Sequence, residues 1–135
     1  MIELYFVHDQ QESPAPRVQF LEMSGFRVST FESGAELLAA LSDHRPDLVL
    51  MDVLLPGAHG FDVCRLVRHQ YPPEELPVIL SSDLYRTRAY RDEAALCGAQ
   101  DYLIRPLDPA HLVDAITRAV DTARGAVTHT SPTRT

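Results

Sequence analysis

Four polar positions at the ends of apolar runs hold the groups in this sequence best placed to do chemistry: His8 and Asp9, Asp52, Ser82, and Arg105 just before Pro106. Asp52 comes first among them. It ends the apolar run Leu48 to Met51 within the stretch DLVLMDVLLPGAHG, which Pro56 and Gly60 close off. A short apolar run of this kind suits a parallel strand buried on both faces, and in open α/β sheets ligands collect just beyond the carboxyl ends of the strands. An aspartate there is also suited to starting a turn or capping a helix. Four strand ends that each supply a polar residue weigh more than any one of them singly.

The elements that must position these residues alternate along the chain. Ile2 to Val7 reads as a first strand. Ser13 followed by Pro14 reads as an N-cap and first helical position, with Val18, Leu21 and Phe20 facing inward and Gly25 as the stop. Arg27 to Phe31 is a second strand, Ser33 caps a helix over Gly34 to Leu41, and Leu48 to Asp52 is the third strand. A helix over Phe61 to Arg68, a strand over Pro77 to Ser81, a helix over Tyr85 to Leu96 and a strand over Asp101 to Ile104 follow. Asp108 caps a last helix that starts at Pro109 and carries the clearest apolar stripe, Leu112, Ala115, Ile116, Ala119 and Val120. The fold expected is α/β, a flavodoxin-like doubly wound (βα)5 sandwich with a parallel sheet in the order 2-1-3-4-5. That order sets the ends of the first, third, fourth and fifth strands side by side.

With 135 residues, 45% of them hydrophobic, the chain is expected to form one globular domain with a real core. A formal net charge of -7 argues against direct nucleic-acid binding, which needs a surplus of Lys and Arg on one face. Cys64 and Cys97 lack metal-type spacing and read as buried free thiols. The histidines His59, His69, His111 and His129 are scattered singly, which speaks against a zinc site. The lack of a long apolar run or leader segment gives the expectation of a cytoplasmic protein outside the membrane.

The chain resembles the receiver domain of bacterial two-component response regulators. The resemblance runs from about Ile2 to Ala123 and is carried by Asp9 after the first strand, DLVLMDVLLPGAHGFDVCRLVR around Asp52, PVILSS, and GAQDYLIRP. It implies a receiver domain over residues 1–123; the change of composition after Arg124, to GAVTHTSPTRT, reads as a flexible tail or linker over 124–135. The resemblance further implies that Asp52 accepts a phosphoryl group from a histidine kinase or phosphotransfer protein. Mg2+ would be held by Asp9, Asp52 and the backbone carbonyl of Leu54, with His8 at an outer position. Ser82 would contact the phosphoryl group, with Ser81 as a substitute; Arg105 would neutralise it, and Tyr102 would be a rotating switch aromatic. A carboxylate can attack phosphorus only when charge on the equatorial oxygens is neutralised, which is the task of such cations and donors.

Two positions depart from the family pattern. His8 stands where a second acidic residue is usual, and Arg105 stands where lysine is usual. Both push the site toward positive charge, so Mg2+ binding is expected to be weak, and the Arg105 fork could clamp Asp52 or Asp9 in the metal's place. Three readings follow: a phosphorylatable receiver that switches an output surface on the fourth helix, fifth strand and fifth helix; an atypical pseudo-receiver acting as a phosphorylation-independent interaction module; and a phosphatase. The last lacks a carboxylate two residues after Asp52, where Leu54 stands, so the chain is not expected to be an enzyme. Arg86, Arg88 and Arg91 make the fourth helix locally basic, which fits a solvated face or a partner surface, and a homodimer is left open.

Overall fold

The computed structural model describes residues 1–9, 13–55, 57–82, 88–106 and 108–128, the last three of these without side chains. Pro56, Tyr85, Arg86, His129 and the remainder of the tail to residue 135, named above, lie outside the described residues. Among those described, the elements are β1 (Glu3–Val7), α1 (Ala15–Met23), β2 (Arg27–Phe31), α2 (Gly34–Leu41), β3 (Leu48–Asp52), β4 (Leu54–Leu55), β5 (Ala58–His59), α3 (Gly60–Gln70), β6 (Val78–Ser82), α4 (Arg88–Leu96), β7 (Asp101–Ile104) and α5 (Pro109–Thr128). Five strands form one parallel sheet in the order β2-β1-β3-β6-β7, which is 2-1-3-4-5 when those strands alone are counted.

Strand alternation divides the core into two layers. Leu4, Phe6, Leu48, Leu50, Ile79 and Leu103 bury one face against Leu21 of α1 and Leu112, Ile116 and Val120 of α5. Tyr5, Val7, Val49, Met51, Val78, Leu80 and Tyr102 bury the other against α2, α3 and α4, through Leu37, Val63, Val67 and Ala94. Extending each strand by one alternation decides where the polar residues go. His8 follows Phe6, Asp52 follows Leu50, Ser81 follows Ile79 and Arg105 follows Leu103, so all four belong to the face covered by α1 and α5. Ser82 follows Leu80 onto the opposite face.

Local chemistry sets the boundaries, and some differ from the sequence reading. The N-cap of α1 is Pro14 rather than Ser13. Ser13 Oγ still accepts a hydrogen bond from Ala15 N at 3.3 Å, the bond a capping serine makes when Pro14 is taken as the first helical residue. Ser33 caps α2 as expected, accepting from Glu36 N at 3.1 Å, while Glu36 accepts from Glu32 N at 2.9 Å. The strand read as Pro77 to Ser81 begins one residue later and ends at Ser82, because Ser82 pairs with Ile104 in the β6–β7 ladder. Asp108 accepts from Ala110 N at 3.1 Å at the start of α5. That helix continues to Thr128, past the point where the apolar stripe ends. Residues 124–128, the start of the stretch read as a flexible tail or linker, are helical. A single glycine costs a helix only about 1 kcal/mol relative to alanine, so Gly125 does not stop it. A short antiparallel hairpin, β4 with β5, was not foreseen; Gly57 at its turn has φ +73, where glycine is strongly favoured.

Cys64 and Cys97 are buried and not joined by a disulfide, as read from the sequence. The thiol of Cys64 is pushed up by its hydrogen bond to Cys97 and by burial, and that same bond draws Cys97 down to about 7. No helix among the described residues is long and apolar enough to cross a membrane.

Gly60 starts α3 directly against β3. A Cβ built there would lie 2.8 Å from the carbonyl oxygen of Asp52 and 2.8 Å from Val53 Cα, both backbone atoms that cannot swing aside. Gly60→Ala is expected to destabilise the fold by about 1–3 kcal/mol, the range of overpacking in a close-packed interior. Chemical denaturation measures this, and an unchanged midpoint would show that α3 does not depend on this close approach.

Candidate functional site

Asp52 lies at the carboxyl end of the central strand and is 1% exposed. Its two oxygens are met from three elements. From β7, Arg105 Nη1 donates to Oδ1 at 2.7 Å. From α1, Arg17 bridges both oxygens, Nη1 to Oδ1 at 3.1 Å and Nη2 to Oδ2 at 3.3 Å. From the end of β1, the backbone N–H of Asp9 donates to Oδ2 at 3.2 Å. A buried carboxylate without such partners would carry a desolvation penalty of several kcal/mol.

Each donor is held by the fold. The backbone N–H of Arg105 bonds Ser82 O at 2.9 Å, which continues the β6–β7 ladder to the arginine. Arg17 lies in the first turn of α1, four residues before the fully buried Leu21, so it shares the inward face of the helix. Its guanidinium carbon stands 4.6 Å from the centre of the Phe6 ring, a cation–π contact that fixes the fork above the end of β1. The Arg17 and Arg105 side chains keep 25% and 16% of their exposure, so they form the rim of the site while the carboxylate is its floor. Beside the clamp the same two arginines line an apolar cleft of about 300 Å3 between α1 and α5, with Pro16, Phe20, Pro106 and Leu112.

The sequence-predicted residues are distributed as follows. Asp9, Asp52 and Arg105 are brought together. His8 is buried beneath them, 5% exposed, and its Nδ1–H donates to the Asp9 carbonyl at 2.8 Å. Ser81 pairs with Asp52 across the β3–β6 ladder and shares its face, and its buried Oγ has no hydrogen-bond partner among the described residues. Ser82 is buried on the other face. Tyr102 is turned inward, 5% exposed, with its ring 6.2 Å from that of Phe61. Leu54 lies in the β4–β5 hairpin, paired with His59. The bidentate clamp anticipated from Arg105 is made by Arg17. Arg17 was not singled out in the sequence, although its spacing of four from Leu21 was the signal that could have found it.

Receiver domains generally bind Mg2+ at their phosphorylation site. In this arrangement the residues do not fit a divalent ion. Both Asp52 oxygens are engaged by cationic donors, and among the described residues no three acidic, histidine or cysteine side chains are grouped to hold a metal. A divalent ion about 5 Å from one guanidinium would meet roughly 7 kcal/mol of repulsion at an effective dielectric of about 20, before solvent relaxation. Mg2+ typically wants about six oxygens in near-octahedral array, and the clamp must open before Asp52 can supply one.

The molecule is a doubly wound α/β domain with a carboxylate at the mouth of its central strand, and comparison with known proteins gives its family. Residues 5–117 match the response regulator receiver domain, and the chain belongs to that family. It is 38% identical over 105 residues to the transcriptional regulatory protein AfsQ1 of Streptomyces coelicolor, covering 74% of this chain and 42% of that protein. It is 31% identical over 110 residues to the phosphate regulon transcriptional regulatory protein PhoB of Rhizobium meliloti, covering 82% and 48%. The chain thus matches less than half the length of these relatives. Among solved structures, the BeF3-activated N-terminal receiver domain of Klebsiella pneumoniae RstA superposes with TM-score 0.79 at 26% identity, covering 87% of this chain and 97% of that one. A CheY-like receiver domain protein from Methanospirillum hungatei superposes with TM-score 0.84 at 21% identity, covering 93% and 98%, and supports the fold.

The unpaired hydroxyl of Ser81 gives a test of the site. Burying a hydroxyl without a partner costs about 1–3 kcal/mol, so Ser81→Ala is expected to leave stability unchanged or raise it by roughly 1 kcal/mol. Thermal unfolding checks this; a clear loss of stability would reveal a partner for Ser81.

Proposed function

We propose that Asp52 is the phosphoryl acceptor of a signalling receiver, charged by a histidine kinase or phosphotransfer protein. The observation that supports this most is the placement of Asp52: a carboxylate at the mouth of the central strand, with two guanidiniums converging on its oxygens. One Asp52 oxygen attacks the phosphorus of a phosphohistidine. An O–P bond forms, the P–N bond breaks, and the imidazole nitrogen keeps the electron pair. Charge on the equatorial oxygens is met by guanidiniums of the rim, whose planar fork matches phosphate. Neither oxygen is accessible while the clamp is closed, so Arg17 or Arg105 must swing outward first. Phosphorylation of this chain is therefore slow and its Mg2+ affinity weak.

The output runs through α4, β7 and α5. Tyr102 links the site's strand to the Phe61 and Tyr90 side of the core, where Phe61 and Tyr90 stack at 6.3 Å. Arg88 and Arg91 are exposed on α4 and give that surface a basic edge for an acidic partner. Receiver domains are signalling modules rather than classical enzymes. The clamp also favours a second reading, in which the site stays closed and the domain acts as a phosphorylation-independent interaction module.

Intact mass after incubation with acetyl phosphate separates the two. The chain is expected to gain one phosphoryl group, and Asp52→Asn to gain none. If the wild type stays unlabelled and Asp52→Asn leaves partner binding untouched, the interaction module is the better account. The departures from the family pattern are tested together by His8→Asp with Arg105→Lys. This double variant restores a carboxylate and exchanges a fork for a point charge, so labelling in Mg2+ is expected to quicken by roughly tenfold or more. Equal rates would show that His8 and Arg105 do not limit the reaction.

A further inference from the structure

We infer that Arg17 is a built-in cation that takes the divalent ion's place beside Asp52, and that it holds the phosphoryl oxygens of the modified aspartate without metal. The inference rests on the phosphoryl-acceptor reading, but one arm of its test does not.

Three features of the site point to this role. Arg17 is the bidentate partner, contacting both oxygens of a carboxylate that is 1% exposed, whereas a surface arginine would meet it end-on from solvent. The guanidinium rests on the Phe6 ring in the first turn of a helix that begins after Pro14, so its approach is built into α1 rather than borrowed from a loop. The hydroxyl of Ser81, buried and unpartnered on the same face and in register with Asp52, is a spare donor beside it. With Arg105, Arg17 and Ser81, the pocket supplies two forks and a hydroxyl, a donor set for a dianionic tetrahedral oxyanion.

The transfer balances without metal. As the Asp52–O–P bond forms and the P–N bond of the phosphohistidine breaks, its nitrogen keeping the electron pair, Arg17 exchanges its two bonds to the carboxylate for two bonds to phosphoryl oxygens. The forks remain charged throughout, so the extra negative charge brought by the phosphoryl group is met by cations already present. Mg2+ and Arg17 then compete for one position, and removing the arginine should open it to the ion.

The test uses the 135-residue chain and Arg17→Ala, with Arg17→Lys as a second variant that keeps the charge and loses the fork. Calorimetric titration of Mg2+ reads the competition without any phosphorylation. Arg17→Ala is expected to bind Mg2+ at least about tenfold tighter than the wild type, with Arg17→Lys between them. Labelling by acetyl phosphate, followed by intact mass, is then compared in EDTA and in Mg2+. The wild type should label within about threefold of the same rate in both, while Arg17→Ala should label only in Mg2+. Equal Mg2+ affinity in wild type and Arg17→Ala overturns the inference, as does loss of wild-type labelling in EDTA when Mg2+ supports it. Should no form label under any condition, the acceptor reading fails and with it the phosphoryl half of the inference; the titration alone then decides whether Arg17 holds the metal's place.

Discussion

The constraint on which the rest of the site depends is the charge of a carboxylate that the sheet buries almost completely. Asp52 is the last residue of a strand flanked on both sides, so its side chain points into the seam between the sheet and the α1–α5 layer, with 1% of its surface left to solvent. Counter-charge must come from within reach, and it comes from β7 through Arg105 and from α1 through Arg17. Three elements far apart in sequence are thereby joined at one pair of oxygens. Breaking such a buried pair from one side costs about 3–5 kcal/mol, since the remaining charge is left uncompensated. The clamp is therefore both a feature of stability and the gate to the carboxylate.

Polar and apolar layers meet along this seam. Phe6 illustrates how: it is fully buried against the α1 and α5 side chains below and offers its ring to the Arg17 guanidinium above. His8 continues the same strand face and turns its Nδ1–H to the neighbouring carbonyl of Asp9. Gly60 lets α3 start within contact of the Asp52 backbone, which fixes the strand end from the opposite face.

The charges around Asp52 share one direction. Arginines from the end of β7 and from α1 meet its oxygens, and the residue before Asp9 is a histidine rather than a second acid. Under the inference drawn for Arg17, the charge an ion would bring to Asp52 is supplied by a side chain that needs no ligands. It also changes the kinetics of access, because a guanidinium tethered to a helix leaves by a rotamer change, whereas an ion leaves by exchanging water.

The sequence by itself determined the strand and helix order, the doubly wound architecture and the grouping of Asp9, Asp52 and Arg105. Each rests on local pattern: apolar runs of strand length, the Ser33 and Asp108 caps, Gly25 and Gly98 at positive φ, and the rule that parallel strands place their carboxyl ends together. The hairpin of β4 and β5 was not legible because two-residue strands carry no periodicity. The extent of α5 was not legible either, since its last turns lack the apolar stripe that marks the rest. Only the tertiary structure decided which cation takes both oxygens of Asp52. Arg105 is next to a recognisable proline and drew attention, whereas Arg17 is an ordinary polar residue in a helix whose inward face was assigned to its apolar neighbours. Its role depends on how α1 lies across the end of β1, a packing geometry that residue spacing constrains but does not specify.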